Sequence, residues 1–197
     1  MSILYFDTET TGLIRNGLNY RDHYMMYPRI VQLSWYFDGV MNDFIIKPDG
    51  YVIPYESEMI HGISTDEAIE KGVEFDSVIR MFLSDCGKAN HLVGHNIYFD
   101  VSVVKSNVLM LNDSDLSLFC DIVLAKRKRI DTMLSSIRYV NARNSSNHIK
   151  FPSLEELHLK LFGCGYFDAH NSCEDVKSTM KCFARLNELG IIKTQIT

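Results

Sequence analysis

Several features that mark other classes of protein are missing from this sequence of 197 residues. Its five cysteines are odd in number and form no C-x-x-C pair, which argues against a disulfide framework and a structural zinc site. No apolar run approaches the roughly 18 residues of a membrane span, and the N-terminus lacks the basic and apolar regions of a signal peptide. These absences predict a soluble protein of a reducing compartment, cytoplasmic or nuclear and not secreted.

Basic charge is also scarce, since 20 lysines and arginines stand against 25 acidic residues and the formal net charge is −5. The sequence therefore lacks the strongly basic character that usually marks a nucleic-acid-binding domain. A cluster of metal-binding carboxylates would make an enzyme acidic in any case, because its cations supply positive charge locally. A nucleic-acid partner thus remains open. The length and the 46% content of hydrophobic residues predict one globular domain, residues 1–197.

The hydrophobic pattern predicts an α/β fold. Strands are expected at the opening apolar run and at residues 29–37, 41–46 and 91–94, with a hairpin turn at Asp38-Gly39 that makes the first three strands a meander. Residues 14–29 lack periodicity and predict a long surface loop, and residues 141–148 predict a second, mobile loop. Apolar spacing and capping signals predict helices at 65–71, 75–87, 97–111, 121–130, 154–163 and 171–189.

The first candidate site lies in the segment Ile3 to Leu13, which reads I-L-Y-F-D-T-E-T-T-G-L. An apolar strand here delivers Asp7 and Glu9 at a spacing of two, just before a Thr-Thr-Gly sequence that ends it. Residues i and i+2 of a strand point to the same face, so both carboxylates emerge together. Such a pair of carboxylates is suited to bind a divalent cation. An Asp and a Glu that are simply solvated at the end of a strand are an equally common alternative.

Two later segments complement these acids. The sequence H-L-V-G-H-N-I-Y-F-D at 91–100 predicts a strand, a turn and Asp100 in the first turn of a helix. In H-N-S-C-E-D at 170–175, the separation of five rotates Asp175 by roughly 140° from His170 on an ideal helix. We therefore expect His170 on the preceding loop, suited to proton transfer, and Asp175 fixed on the helix, suited to metal ligation. Considered alone, Asp100 could instead stabilise the N-terminus of its helix through the helix dipole. Considered alone, His170 could be a surface histidine or a histidine with satisfied hydrogen bonds.

Taken together, these motifs resemble the DnaQ-like 3′→5′ exonucleases of the DEDDh group, which include the proofreading epsilon subunit and RNase T. The resemblance rests on D-T-E-T-T-G-L at 7–13, G-H-N-I-Y-F-D at 94–100 and A-H-N-S-C-E-D at 169–175, with H-G-I-S at 61–64 and D-T-M at 131–133 as secondary matches. It implies an RNase H-like α/β fold with a central mixed five-stranded sheet flanked by helices. It also implies a phosphodiesterase that shortens nucleic acid, with DNA favoured, from the 3′ end and releases nucleoside 5′-monophosphates.

The resemblance further implies roles for individual residues. Asp7, Glu9 and Asp175 would hold a first divalent cation, Mg²⁺ or Mn²⁺, while Asp7 bridges to a second that Asp100 supports, and His170 would be the general base. The residues implied to contact the terminal nucleotide are Thr10, Thr11, Gly12, Leu13, His61 and Phe99. For Leu13 and Phe99, core packing is the alternative interpretation.

The implied partner is single-stranded nucleic acid or a frayed 3′ end, and a DNA polymerase or another replication or repair protein is a further candidate. The sequence ends at Thr197 without an extension that could tether a polymerase, which weakens the expectation of a proofreading subunit. The basic run Lys126 to Arg129 could steer a nucleic-acid backbone, but a solvated helical face is the favoured interpretation.

Two alternatives to a DNA exonuclease stay open on the sequence. An RNA-directed exonuclease is one, because ribose and deoxyribose are distinguished only by the groups that meet the 2′-hydroxyl. A non-catalytic nucleic-acid-binding or adaptor module with the same fold is the other, and the presence of all four acids and His170 disfavours it. The oligomeric state and the roles of the loops 14–29 and 141–148 are not indicated.

Overall fold

The computed structural model describes residues 2–166 and 170–193. Ala169, the first residue of the third motif, and both ends of the predicted domain 1–197 lie outside the described residues. Within the described part, no helix is both long enough and apolar enough to cross a membrane.

A mixed five-stranded sheet forms the centre of the fold, as predicted. Its strands are β1 (Ile3–Thr10), β2 (Ile30–Phe37), β3 (Val40–Ile45), β4 (His91–Gly94) and β5 (Lys128–Asp131), in the spatial order β3-β2-β1-β4-β5. The predicted meander is confirmed, because β2 pairs antiparallel with both β1 and β3. The strands β1, β4 and β5 run parallel, so their carboxyl ends lie together at one end of the strands. Ligands bind at this end in open α/β sheets.

Helices cover both faces of the sheet. In chain order they are α1 (Tyr20–His23), α2 (Tyr55–His61), α3 (Thr65–Lys71), α4 (Phe75–Lys88), α5 (Ile97–Met110), α6 (Ser114–Lys126), α7 (Thr132–Val140), α8 (Leu154–Phe162) and α9 (Ser172–Glu188). Leu4 and Phe6 of β1 point to the face that packs on α4, α5 and α6. Ile3 and Tyr5 point to the opposite face, towards α8 and α9. This alternation decides where the polar residues at the end of β1 emerge.

The capping signals in the sequence identify several helix ends. Ser64 accepts a hydrogen bond from the amide of Glu67 and begins α3, and Ser153 forms a complete capping box with Glu156 at the start of α8. Gly163 ends α8 in the left-handed conformation. Gly72 ends α3 for a different reason, because its φ of −70° suits any residue while an added Cβ would lie 2.2 Å from the carbonyl oxygen of Ala68.

Two predicted elements are wrong. The segment 14–29 is not a loop throughout, since Asn19 caps the short helix α1, which is followed by a 3-10 helix at Tyr24–Met26. These elements are too short to show a helical period. The predicted helix 121–130 is helical only to Lys126 and begins earlier, at Ser114. Residues 128–131 form β5 instead, because parallel pairing with β4 overrides the local pattern. The basic run at 126–129 is therefore divided: Lys126 ends α6 and Arg127 is its C-cap, while Lys128 and Arg129 lie on the edge strand β5.

Besides α1, the helices α2 and α7 were not predicted. Helix α2 begins after Pro54 and carries exposed Tyr55, Met59 and Ile60, so its apolar residues do not mark a buried face. Helix α7 has Asp131 as its N-cap, and the side chain of Asp131 accepts hydrogen bonds from the amides of Met133 and Leu134. The secondary motif D-T-M at 131–133 is thus a helix cap that ties β5 to α7.

Candidate active site

Three carboxylates meet where β1 ends. Asp7 and Glu9 follow Tyr5 on the face of β1 that packs against α9, and Asp175 lies in the first turn of α9. One carboxylate oxygen from each of the three residues lies within 4.8 Å of the others. A bulge between Glu9 and Thr10 shifts the pairing with β2 at this point, and such bulges re-aim strands beside functional sites.

A buried polar network places α9 beside β1. The hydroxyl groups of Ser34 on β2 and Ser172 on α9 lie 2.6 Å apart, and Ser34 also donates to Asp43 on β3. Gln32 donates to the same Asp43 carboxylate and accepts from the amide of Ser172. Because Ser34 and Gln32 are the β2 partners of Asp7 and Glu9, the network fixes the first turn of α9 against the acidic end of β1.

The electrostatics of this group are unfavourable without a cation. Burial, followed by repulsion from neighbouring acids, raises the pKa of Asp7 well above its usual range and that of Glu9 to about 8. Burial also raises the pKa of Asp175, even though Tyr166 and His170 act in the opposite direction. Acids with raised pKa values in one cleft are a mark of functional sites.

Asp100 lies next to this group but faces a different partner. It is almost fully buried on α5, and its Oδ1 accepts hydrogen bonds from the backbone amide and the hydroxyl of Thr8, at 3.1 and 2.7 Å. Burial raises its pKa to about 7 in spite of these bonds. Its charge contributes to the raised pKa of Asp7 and Glu9, so the four acids form one electrostatic unit.

The sequence motifs did not indicate that Thr8 donates hydrogen bonds to Asp100. This contact allows a prediction for a Thr8 variant. In Thr8→Val the carboxylate of Asp100 loses its hydroxyl donor, which raises its pKa further. We expect the acidic limb of the pH–rate profile to move to higher pH and the rate at pH 7 to fall about tenfold, as for a lost hydrogen bond to a charged group. Thr8→Ser keeps the hydroxyl and serves as the control. A Thr8→Val profile that overlays the wild-type profile would refute this role.

His170 lies in the turn just before α9, as predicted, with its side chain exposed and its φ at +71°. It is close enough to Asp175 to oppose part of the rise in the pKa of that carboxyl, and burial, followed by the neighbouring His170, lowers the pKa of His61. His61, at the end of α2, is buried; its Nδ1 accepts from the amide of Ile63, and its Nε2 has no hydrogen-bond partner among the described residues. His170 therefore lies beside Asp175, and His61, whose Nε2 is unpartnered among the described residues, lies beside His170.

Tyr166 is a further residue at this site that the sequence motifs did not reveal. Its hydroxyl donates a hydrogen bond of 2.6 Å to Oδ1 of Asp175. Burial and the neighbouring Asp175 raise the pKa of Tyr166, so the phenol remains a donor. Its ring also lies 5.4 Å from that of His158 on α8, which holds the tyrosine beside the site. A tyrosine nine residues before an acid carries no recognisable pattern, so the contact depends on the tertiary fold.

Removing this hydroxyl gives a second prediction. Partners that orient a metal-ligating carboxylate typically contribute about 10–100-fold to metal affinity or activity. In Tyr166→Phe we expect the Mn²⁺ concentration for half-maximal activity to rise about tenfold, because Asp175 loses its orienting donor, while kcat at saturating Mn²⁺ changes little. A metal titration of the reaction rate checks this. Equal half-saturation in both proteins would show that the tyrosine plays no part in positioning Asp175.

The remaining residues predicted to contact the nucleotide lie at the end of β1, in the loop that follows it and, for Phe99, on α5. Thr11 is held to Arg29 by its amide and its hydroxyl, and the Thr10 hydroxyl donates to the carbonyl of Gly12. Gly12 has a φ of +148°, a conformation that favours glycine. Leu13 is 84% exposed, so the core-packing alternative is wrong for it. Phe99 is partly buried and packs against the core of the α5 face, so packing accounts for part of its surface.

His95 and Asn96, at the end of β4, connect the surrounding elements. The two ring nitrogens of His95 lie 3.0 Å from the Thr132 hydroxyl and 3.0 Å from the carbonyl of Pro152. Asn96 has a positive φ, and its amide donates to Asp131. These bonds join the carboxyl ends of β4 and β5 to the segment before α8.

Comparisons with known proteins identify the family and the fold of this chain. A family model named RNase_T and described as an exonuclease matches residues 4–183. The DNA polymerase III subunit epsilon of Buchnera aphidicola subsp. Schizaphis graminum is 31% identical over 124 residues, covering 61% of this chain and 52% of that subunit. The same subunit of Haemophilus influenzae is 27% identical over 187 residues, covering 87% of this chain and 72% of that one. This chain thus spans about half the length of the first relative.

Solved structures show the fold of this chain in other proteins. E. coli exonuclease I in complex with a dA16 oligonucleotide superimposes with a TM-score of 0.71 and 23% identity, over 95% of this chain and 41% of that one. The zinc-bound form of the E. coli exonuclease I complex with single-stranded DNA gives a TM-score of 0.70 and 22% identity, over 95% and 40%. The predicted RNase H-like fold is therefore confirmed. Because the family model spans nearly the whole described chain, the protein belongs to the exonuclease family of RNase T, the DnaQ-like group that its motifs resemble.

Proposed function

We propose that this protein is a metal-dependent 3′→5′ exonuclease, which hydrolyses the terminal phosphodiester bond of single-stranded nucleic acid or a frayed 3′ end and releases nucleoside 5′-monophosphates. The observation that carries the proposal is the group of carboxylates of Asp7, Glu9 and Asp175 at the end of β1. The family to which the chain belongs supports the reaction class. The epsilon subunits among its relatives belong to DNA polymerase III, which makes a replication or repair protein the expected partner class.

The residues fit a divalent cation. Buried carboxylates that raise each other's pKa are costly to ionise together, and a cation offsets that cost. The donors are all carboxylate oxygens, which favour Mg²⁺ or Mn²⁺. Asp7, Glu9 and Asp175 would hold one ion, and Asp7 with Asp100 a second. When bound, such ions lower the pKa of water and stabilise negative charge on phosphoryl oxygens.

The protein's own side chains supply the remaining functions. His170, exposed on the lip of the site, accepts the proton of the attacking water at an imidazole nitrogen. His61 offers its unpartnered Nε2 to the terminal nucleotide, and Leu13 presents an exposed apolar surface against a base. Gly12 lets the backbone approach the substrate closely. Stacking on Leu13 and Phe99 would tolerate any base, as a nuclease without sequence preference requires.

A 5′-labelled single-stranded oligonucleotide tests the direction of cleavage. With Mg²⁺ or Mn²⁺ we expect a ladder of labelled products that shorten by one nucleotide at a time, together with nucleoside 5′-monophosphates. Excess EDTA should stop the reaction. Internal cleavage, early release of the labelled nucleotide or undiminished activity in EDTA would contradict the proposal. Matched DNA and RNA oligonucleotides, single- and double-stranded, then decide between deoxyribose and ribose substrates.

A further inference from the structure

A second surface adjoins the acidic site along the free edge of β5. It is an open groove of about 750 Å³ whose floor is the edge strand itself, residues 128–131. Tyr98 from α5 borders it on one side of the sheet, and Leu134 from α7 and residues 191–193 border it on the other. Because β5 has four residues, the floor is about 13 Å long.

The groove concentrates positive charge on an acidic protein. Lys128, Arg129 and Lys193 line it, whereas the formal net charge of the chain is −5. None of these three side chains forms an ion pair with a carboxylate in the part of the chain that the structure describes, although many other surface cations do. Asp131 also lines the groove, but it is buried and accepts hydrogen bonds from three backbone amides. The exposed charge of the groove is therefore cationic.

An aromatic ring accompanies these cations. Tyr98 is 52% exposed, and the guanidinium group of Arg129 lies 5.8 Å from the centre of its ring. Arg129 is also fixed by a hydrogen bond to the carbonyl of Leu124. A positive groove with an exposed aromatic side chain is the combination that proteins use to bind single-stranded nucleic acid, through the phosphates and by stacking on a base.

The groove lies near the proposed active site. Tyr98 lies two residues before Asp100 in the first turn of α5. Asp131 lies at the carboxyl end of β5, and it is close enough to Asp100 to contribute to the raised pKa of Asp100. Asp131 also accepts a hydrogen bond from the backbone amide of Asn96, the residue before α5. A strand whose 3′ end occupies the carboxylate site can therefore continue over the β5 edge.

We propose that the β5 groove binds the sugar-phosphate backbone of single-stranded nucleic acid upstream of its 3′ end, with Lys128, Arg129 and Lys193 as phosphate contacts and Tyr98 as a stacking surface. This proposal rests on the proposed exonuclease function for the placement of the 3′ end. A peptide strand pairing with the β5 edge is less compatible with the structure, because short edge strands that carry lysine discourage strand addition.

The test measures binding separately from cleavage. The full chain, in EDTA, is titrated against a fluorescent single-stranded oligonucleotide at several salt concentrations. Lys128→Ala/Lys193→Ala removes two exposed cations of the groove. The control is Lys47→Ala/Lys71→Ala, which changes the net charge equally beyond the opposite edge of the sheet, where each lysine forms only a surface ion pair.

For the groove variant we expect about tenfold weaker binding and a salt dependence whose slope falls by about 0.7 for each phosphate that the variant no longer neutralises. The control should bind within about twofold of the wild type. Charge reversal in Lys128→Glu/Lys193→Glu should weaken binding further. With metal added, the groove variant should show a raised KM for a long oligonucleotide and an unchanged KM for a dinucleotide, which does not reach the groove.

If the groove variant and the wild type bind the oligonucleotide with equal affinity and equal salt dependence, the proposal is overturned. A peptide that pairs with the β5 edge would then be the remaining candidate ligand of the groove. A loss shared equally by the control variant would overturn it too, since only net charge would then matter. The proposed exonuclease activity is tested separately. If the groove variant alone binds more weakly but no oligonucleotide is shortened, the groove is supported and the proposed function fails.

Discussion

Replacing Asp7 by asparagine is expected to stabilise the metal-free protein at pH 8 while it removes nuclease activity. Burial, followed by repulsion from Asp100, Asp175 and Glu9, raises the pKa of Asp7 well above its usual range. A neutral side chain of the same shape removes a charge that the folded state accommodates poorly. Because Asp7 would also contact both cations, activity should fall by more than the 10–100-fold typical of residues that only orient a metal ligand.

The sign of the pH dependence follows from the raised pKa values. Glu9 has a pKa of about 8 and Asp100 of about 7 in the folded protein, whereas carboxyl groups in an unfolded chain titrate near 4. The folded state therefore binds more protons than the unfolded state between these limits, and the stability of the metal-free protein falls as pH rises from about 4 to 8. Each unit of raised pKa corresponds to about 1.4 kcal/mol.

Thermal unfolding in EDTA at pH 5 and pH 8 measures this effect. The wild type should lose stability between the two values, and Asp7→Asn should lose less. At pH 8 the variant should unfold at a higher temperature, by about 2–4 °C for each kcal/mol gained in a protein of this size. If Asp7→Asn unfolds at a lower temperature than the wild type at pH 8, Asp7 stabilises the metal-free fold. That result would contradict the expectation that its charge destabilises the folded state.

Replacing His170 is expected to slow the reaction while metal binding is kept. A positioned general base typically contributes about 10²–10⁴-fold to the rate, and we expect a loss of that size in kcat. The substitution of choice is His170→Asn, because His170 has a φ of +71° and asparagine tolerates this conformation better than alanine. The affinity for Mn²⁺ should change by no more than a few-fold, since His170 is not among the carboxylate ligands.

Steady-state rates near pH 7 and a Mn²⁺ titration separate the two functions of the site. Added imidazole should restore part of the rate of His170→Asn, because it can enter the exposed position that the side chain leaves. An unchanged kcat in His170→Asn would remove the histidine from the mechanism. A loss of Mn²⁺ binding equal to the loss of rate would instead assign it to the metal site.

Local sequence patterns predicted much of the fold, where those patterns reflect burial or capping. The alternation in β1 placed Asp7 and Glu9 on one face, and the spacing in the last motif placed His170 before α9 and Asp175 within it. Strand β5 was predicted as helix because its residues K-R-I-D offer no alternation of their own. Its structure depends on pairing with β4, which lies more than thirty residues earlier in the chain.

Contacts that cross between elements could not be derived from the sequence. Thr8 donates to Asp100 across 92 positions, and Ser34 meets Ser172 across 138. Tyr166 is nearer to Asp175 in sequence, but its contact depends on how the chain turns between α8 and α9. The motifs therefore predicted the charged residues of the candidate site, while the neutral residues that contact them became apparent only in the folded structure.

Calorimetric titration of Mn²⁺ into the nucleic-acid-free protein at pH 8 tests most directly whether the carboxylates at the end of β1 form a metal site. We predict binding by the wild type that weakens as the pH is lowered, because protons compete for the same oxygens. We predict no measurable binding by Asp7→Asn, which we expect to keep its fold. Equal Mn²⁺ binding by the two proteins would contradict the proposed metal site, since the three carboxylates would then not be the ligands.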